Sequence, residues 1–187
     1  MIDLVGKILR MHRAFANADI PHAFGGALAL AWCTAQARGT IDIDVNVFVG
    51  GEAIERVVAG LPKAVKCSPA DVVVLRRELQ HRLWWDHTPV DLFLNSTPYH
   101  DALAARVRWE SFAGSQLPFL GCEDLAVFKV IFDRTKDWAD LEAMRDAGTL
   151  DFDHLAAAIV GMPGADDKRL GRLSRLRVIP TKGAGRR

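Results

Sequence analysis

The chain lacks several features that would decide its class at once. None of its apolar runs approaches the length of a membrane span. The start, Met1-Ile2-Asp3-Leu4, has no basic segment leading into an apolar one, so neither a membrane helix nor a secretory leader is expected. Cysteine is scarce. Cys33, Cys67 and Cys122 are odd in number, scattered and in no zinc spacing, which points to reduced thiols and a cytoplasmic protein. No internal repeat is visible. Net charge is nearly absent, +1 over 187 residues, and the 50% hydrophobic and 25% charged content is that of an ordinary globular domain.

The small net charge conceals an asymmetry. Of the 24 Lys and Arg residues, eight fall in 168–187, where there is no acid: Lys168, Arg169, Arg172, Arg175, Arg177, Lys182, Arg186 and Arg187. The 23 acidic residues therefore all lie in 1–167 against 16 basic ones, a net of −7. The expected organisation is a domain over 1–164 and a basic tail over 165–187. The tail reads either as a polyanion contact or as a solvated end.

Periodicity predicts a helix over 3–18, with Leu4, Ile8, Met11 and Phe15 on one face, then a short strand at 22–24, a turn at Gly25-Gly26 and a buried helix from Ala27 to about Ala37 stopped by Gly39. A strand follows over 41–49, a helix over 52–61, and strands at 72–75, 83–85 and 90–94, the last two joined through 86–89. Helices are expected over 101–107, 123–134, 137–147 and 151–160, with an extended segment at 117–120. Strands before residue 95 and helices after 100 favour an α+β layout, a small mixed sheet backed by helices. Trp84, Trp85, Trp109 and Trp138 read as core or interface residues. His100 reads as a loop histidine near a helix start.

The chemistry concentrates in Ile41-Asp42-Ile43-Asp44-Val45. Residues two apart on a strand share a face, so Asp42 and Asp44 stand side by side and repel unless a cation lies between them. Oxygen ligands alone suit Mg²⁺ or Mn²⁺. Asp91, in the apolar run Val90-Asp91-Leu92-Phe93-Leu94, is costly unless paired or metal-bound. It can cap an edge, bind an arginine, or supply a third carboxylate. Gly25-Gly26 before a helix lets a ligand approach the backbone and the helix N-terminus.

In this order, Gly25-Gly26, Asp42-x-Asp44 and a later strand Asp91 resemble the polymerase-β-type nucleotidyltransferase superfamily. The resemblance implies that the glycine turn contacts nucleotide phosphates, that Asp42 and Asp44 bind Mg²⁺ or Mn²⁺, and that Asp91 completes the site and helps activate the acceptor. The string Arg38-Gly39-Thr40-Ile41-Asp42-Ile43-Asp44 is similar to that of small bacterial members. A second block, Glu123-Asp124-Leu125-x-x-x-Lys129 followed by Arg134-x-Lys136-Asp137-x-x-Asp140-Leu141, resembles the abortive-infection-type enzymes, the toxin halves of toxin–antitoxin pairs. There it implies that Lys129 contacts a triphosphate and that Asp137 orients it or the base, with Arg134 and Asp140 in the same network; the spacing of the block departs from that of the larger toxins.

The resemblance implies a pyrophosphate-releasing enzyme that uses a nucleoside triphosphate and acts on an RNA acceptor such as the tRNA 3′ end, with an antitoxin as partner and no membrane. The alternatives are a small-molecule or protein hydroxyl as acceptor, or a catalytically silent binding partner. Other readings stand beside it: Lys129 as a helix lysine covering core surface, Asp137 and Asp140 as first-turn helix acids, and Arg38 as a C-terminal helix cation or a phosphate contact. Thr40, two residues before Asp42, is a candidate control point, since phosphorylation there would add negative charge beside the acids.

Overall fold

The computed structural model describes residues 2–162, 164 and 166–178. They form two units. One holds the residues up to Leu28 together with Gly39–Leu120; the other holds Ala29–Arg38 and the residues from Gly121 on.

The first unit carries a seven-stranded mixed sheet: β1 (His22–Phe24), β2 (Ile43–Val47), β3 (Val65–Lys66), β4 (Gln80–Trp85), β5 (Thr88–Leu94), β6 (Arg108–Phe112) and β7 (Ser115–Phe119), in the order β3-β4-β5-β2-β1-β7-β6. β2 with β5 and β1 with β7 are parallel; the remaining neighbours are antiparallel. Ile43, Val45 and Val47 are fully buried, as are Val90, Leu92 and Leu94 in β5. Each such side chain contributes roughly 1.5–3 kcal/mol on leaving water.

Helix α1 (Leu4–Asn17) starts on Asp3, whose carboxylate accepts from Gly6 N. It buries Ile8, Met11 and Phe15 as the spacing predicts. It also buries Lys7, which the sequence did not mark. The Lys7 ammonium donates to the Trp85 carbonyl (2.7 Å) and the Thr88 hydroxyl (3.0 Å) and lies 3.3 Å from Asp86, fastening the Asp86-His87 turn of the β4–β5 hairpin.

Helix α2 (Gly26–Thr34) is shorter than predicted. Ala35 takes a left-handed conformation at φ 53° and ends it four residues before Gly39. After a single 3₁₀ turn, α3 (Ile54–Gly60) follows as expected. The strand expected at 72–75 is wrong: Val72, Val73, Val74 and Leu75 lie within α4 (Pro69–Glu78). A local cap overrides their β propensity. The Ser68 hydroxyl accepts from Asp71 N, the Asp71 carboxylate accepts from Ser68 N, and Pro69 opens the first turn. The helix expected over 101–107 is instead α5 (Pro98–Asp101), which contains a buried His100, followed by a 3₁₀ turn over Leu103–Arg106. The segregation of strands before residue 95 also fails. β6 and β7 form a late hairpin through Ala113 and Gly114, both at positive φ, the conformation of a two-residue hairpin loop. Trp85 and Trp138 are buried, whereas Trp84 and Trp109 are exposed.

The second unit packs α6 (Cys122–Phe132), α7 (Thr135–Asp146), α8 (Phe152–Gly161) and α9 (Lys168–Val178) around Leu125, Leu141, Met144, Leu155, Ile159, Leu173 and Leu176. The first half of the basic tail is thus an amphipathic helix with a buried face. Lys182, Arg186 and Arg187 lie outside the described residues. Cys33 and Cys122 form a disulfide, with Cα atoms 5.5 Å apart, which corrects the expectation of reduced thiols; only Cys67 is free. The partners are 89 residues apart in sequence and meet only through tertiary packing. Among the described residues no helix is long and apolar enough to cross a membrane.

His22 gives the first unit a pH dependence. Its Nδ1 bonds the Ile20 carbonyl (2.8 Å) and its Nε2 lies 3.0 Å from His12 Nδ1. Burial pushes the imidazole down to about 4, with the His12 charge acting the same way and the Ile20 bond opposing. The unfolded chain, with His22 near its ordinary value, binds the proton more readily between pH 4 and 6.5, so stability is full above that window and falls with acid. Between pH 7 and 4.5 the loss should be about 2–3 kcal/mol. Urea unfolding of the wild type and His22→Phe across that range checks this, and the variant should show a smaller decline.

Candidate active site

The site residues inferred from the sequence fall into two groups, one in each unit. In the first unit, β2 runs parallel to β5 with Asp44 directly beside Asp91. Asp42, one residue before β2, stands on the same side as Asp44 by strand alternation. Parallel pairing of two apolar strands places the carboxylates where the sequence alone could not, since residues 44 and 91 share no local motif. The Gly25-Gly26 turn is brought against them. Gly25 N donates to the Asp44 carbonyl at 2.9 Å. Gly26 has φ 53°, and a Cβ there would meet the Asp44 Oδ2 atom at 1.8 Å. Only glycine allows this approach, and helix α2 begins at that residue.

One further residue belongs here that the sequence did not single out. Arg82 on β4 is the register partner of Asp91 on β5. Its guanidinium clasps Asp91 at two points, Nε to Oδ1 and Nη2 to Oδ2, both 2.7 Å. The same Nη2 lies 3.6 Å from Asp42 Oδ2. Hydrogen bonding to Asp91, then the charges of Asp91, Asp42 and Asp44, raise the Arg82 pKa further. A signal existed in the sequence: Arg82 and Asp91 sit symmetrically about the Asp86-His87 turn of a hairpin.

Three carboxylates with nothing but oxygen donors fit a hard divalent cation such as Mg²⁺ or Mn²⁺. Asp42, Asp44 and Asp91 are the residues that would hold it. As they stand, Asp91 is clasped by Arg82 and Asp42 lies beside the same guanidinium, and among the described residues no group of three His, Cys, Asp or Glu is gathered as a metal site. Thr40 folds back onto Asp42: its hydroxyl accepts from Asp42 N at 3.2 Å and donates to the Asp42 carbonyl at 3.4 Å.

In the second unit Lys129, Arg38, Arg134, Asp137 and Asp140 form an ionic network. Lys129 is 5% exposed, Asp137 1% and Asp140 5%. The Lys129 ammonium donates to Asp140 at 2.6 Å and stands 3.9 Å from Asp137. Asp140 also accepts from Arg38 at 2.8 Å. Asp137 accepts from the Arg134 guanidinium at 2.6 Å and from Arg134 N at 3.2 Å, closing the first turn of α7. Lys129 is therefore held chiefly by Asp140, with Asp137 more distant, and Lys136 is exposed.

Removing the Lys129 charge leaves two buried carboxylates with only the flanking arginines. Lys129→Met should lower the stability of the protein by about 3 kcal/mol, the scale for breaking a buried pair from one side. Adding Asp140→Leu should restore part of that loss. Denaturant midpoints of the two single variants and the double variant measure the coupling, and additive losses would count against the network.

No protein-family model matches the chain, and no curated protein matches it in sequence. Solved structures do match. The solution structure of the antibiotic-resistance factor ANT(2″)-Ia is 14% identical, with a TM-score of 0.59 over 92% of this chain and 94% of that one. The crystal structure of ANT(2″)-Ia in complex with adenylyl-2″-tobramycin is also 14% identical, with a TM-score of 0.53 over 92% of this chain and 96% of that one. A mixed sheet backed by helices with a helical C-terminal region is the nucleotidyltransferase fold, and this chain has it.

Proposed function

We propose that the chain is a divalent-metal-dependent nucleotidyltransferase that moves a nucleoside monophosphate from a triphosphate onto a hydroxyl group of a small molecule. The observation that carries this reading is the carboxylate row, Asp44 beside Asp91 on adjacent parallel strands, with Asp42 on the same face and Gly26 against Asp44. The bound adduct in one structural neighbour, adenylyl-2″-tobramycin, supports a small-molecule acceptor here.

A divalent cation on these carboxylates would offset triphosphate charge and polarise the α-phosphate. The chain's own groups do the rest. The free N–H groups at the start of α2, after Gly25, receive phosphate oxygens. Asp91, once released by Arg82, takes the proton of the acceptor hydroxyl. The acceptor oxygen then bonds to the α-phosphorus, the bond to the β-phosphate oxygen breaks, and pyrophosphate leaves with that electron pair.

An RNA acceptor, and with it a toxin paired with an antitoxin, is the second reading. The basic run over 168–187 favours it. Against it, four of those cations already have carboxylate partners: Lys168 and Arg172 at Asp133, Arg169 at Asp167, and Arg177 at Asp153.

The test is incubation of the purified chain with each labelled triphosphate, Mg²⁺, and either tobramycin and other hydroxyl-rich small molecules or total RNA. Label should pass to a small molecule with release of pyrophosphate. Asp44→Asn should lower the rate by at least about a hundredfold, the scale on which loss of a charge-stabilising group is felt. Label in RNA alone would establish the second reading. Absence of pyrophosphate with every combination would overturn the enzyme assignment.

A further inference from the structure

Arg82, Asp91 and Asp44 occupy one row across three neighbouring strands, β4, β5 and β2, because Arg82 is the register partner of Asp91 and Asp91 that of Asp44. Partners in register share a face of the sheet. The row therefore reads cation, anion, anion, and Asp42 adds a third anion beside it. Both oxygens of Asp91 accept from the same guanidinium, each at 2.7 Å. A planar fork matched to a carboxylate at two points is the strong form of this pairing. The Arg82 side chain is about half exposed, at 49%, while that of Asp91 is 18% exposed. The arginine thus reaches in from solvent and has room to withdraw, whereas the carboxylate is fixed by its strand.

We propose that Arg82 is the resident counter-cation of the acid cluster, and that a divalent cation must take Asp91 from it, so that guanidinium and metal ion compete for one carboxylate. The inference rests on the metal-dependent reading given above. It assigns Arg82 a positioning role. In the metal-free protein the guanidinium offsets the repulsion among Asp42, Asp44 and Asp91 and holds Asp91 turned toward β4. A cation that approaches Asp91 while the fork is in place meets a like charge at contact distance. Metal entry and release of the Asp91 carboxylate, the group that receives the acceptor's proton, are then one event. The proton acceptor stays occupied until the metal has arrived.

The measurement is Mn²⁺ binding to wild type, Arg82→Gln and Arg82→Lys without nucleotide, read from the paramagnetic resonance signal of free Mn²⁺ at fixed pH and ionic strength. Arg82→Gln removes the competing charge and should bind Mn²⁺ at least tenfold more tightly than wild type. Arg82→Lys keeps the charge but loses the two-point grip and should fall between them. Thermal midpoints give a second readout: the metal-free Arg82→Gln variant should melt below wild type, and Mn²⁺ should raise its midpoint by more. Should Arg82→Gln not fold, the Arg82→Lys affinity decides, and a value equal to wild type overturns the inference. Equal or weaker Mn²⁺ affinity in a folded Arg82→Gln variant overturns it while leaving the metal-dependent reading intact. No Mn²⁺ binding by any of the three folded proteins overturns both.

Discussion

Repulsion among carboxylates placed on one face of a sheet is the constraint around which the first unit is organised. Three acids within a few residues' reach of one another, on strands whose opposite face is fully apolar, destabilise the sheet unless a cation accompanies them. The surrounding structure meets that demand at each level. Parallel pairing of β2 and β5 fixes which acids stand together. The hairpin from β4 to β5 delivers Arg82 to Asp91. The positive φ of Gly26 leaves space that any side chain would take from Asp44. Lys7 of α1 fastens the hairpin turn through the Trp85 carbonyl and Asp86. Stability and chemistry act on the same hairpin, because the turn that Lys7 secures sets the register that places Arg82.

The second unit solves a different electrostatic problem. Lys129, Asp137 and Asp140 are buried, and isolated buried charges would be prohibitively unfavourable. They are tolerated because each has a partner within the unit and because Arg38 and Arg134 add further donors from its surface. A lysine so held has its charge committed to Asp140. That is a structural account of the Lys129 and Asp140 spacing which stands without any ligand. The cations of α9 behave similarly. The cations that pair with Asp133 and Asp153 are exposed and those pairs are individually weak, whereas Arg169 and Asp167 are mostly covered and clasp at two points; all of them reduce the charge the helix presents to a polyanion.

Legibility in the sequence followed the range of the interaction. The carboxylate pair Asp42 and Asp44, the glycine turn and the apolar face of α1 were readable because strand and helix periods are local. The three acids pointed to the right fold at an identity of 14% to its solved neighbours, since the motif depends on residue types at a few positions. Val72–Leu75 misled because three valines outweighed a capping box that was present in Ser68-Pro69-Ala70-Asp71. β6 was missed because Arg108-Trp109-Glu110-Ser111-Phe112 is an edge strand, half polar, with no buried face to mark it. The disulfide and the Arg82 clasp were beyond reach for a common reason: each joins residues through pairing or packing that no local window contains. Arg82 was the nearer miss, since locating the hairpin turn at 86–87 rather than across 86–89 places it opposite Asp91.

The proposed cation site at Asp42, Asp44 and Asp91, with Arg82 as its resident counter-charge, is the point on which the functional reading turns. Its most direct test is anomalous diffraction from crystals of the chain grown with Mn²⁺ and a non-hydrolysable nucleoside triphosphate. Manganese density should lie against the carboxylates of Asp42, Asp44 and Asp91, with the Arg82 guanidinium withdrawn from Asp91. Triphosphate bound without manganese at these carboxylates, or with Arg82 still clasping Asp91 beside a bound metal ion, would contradict it.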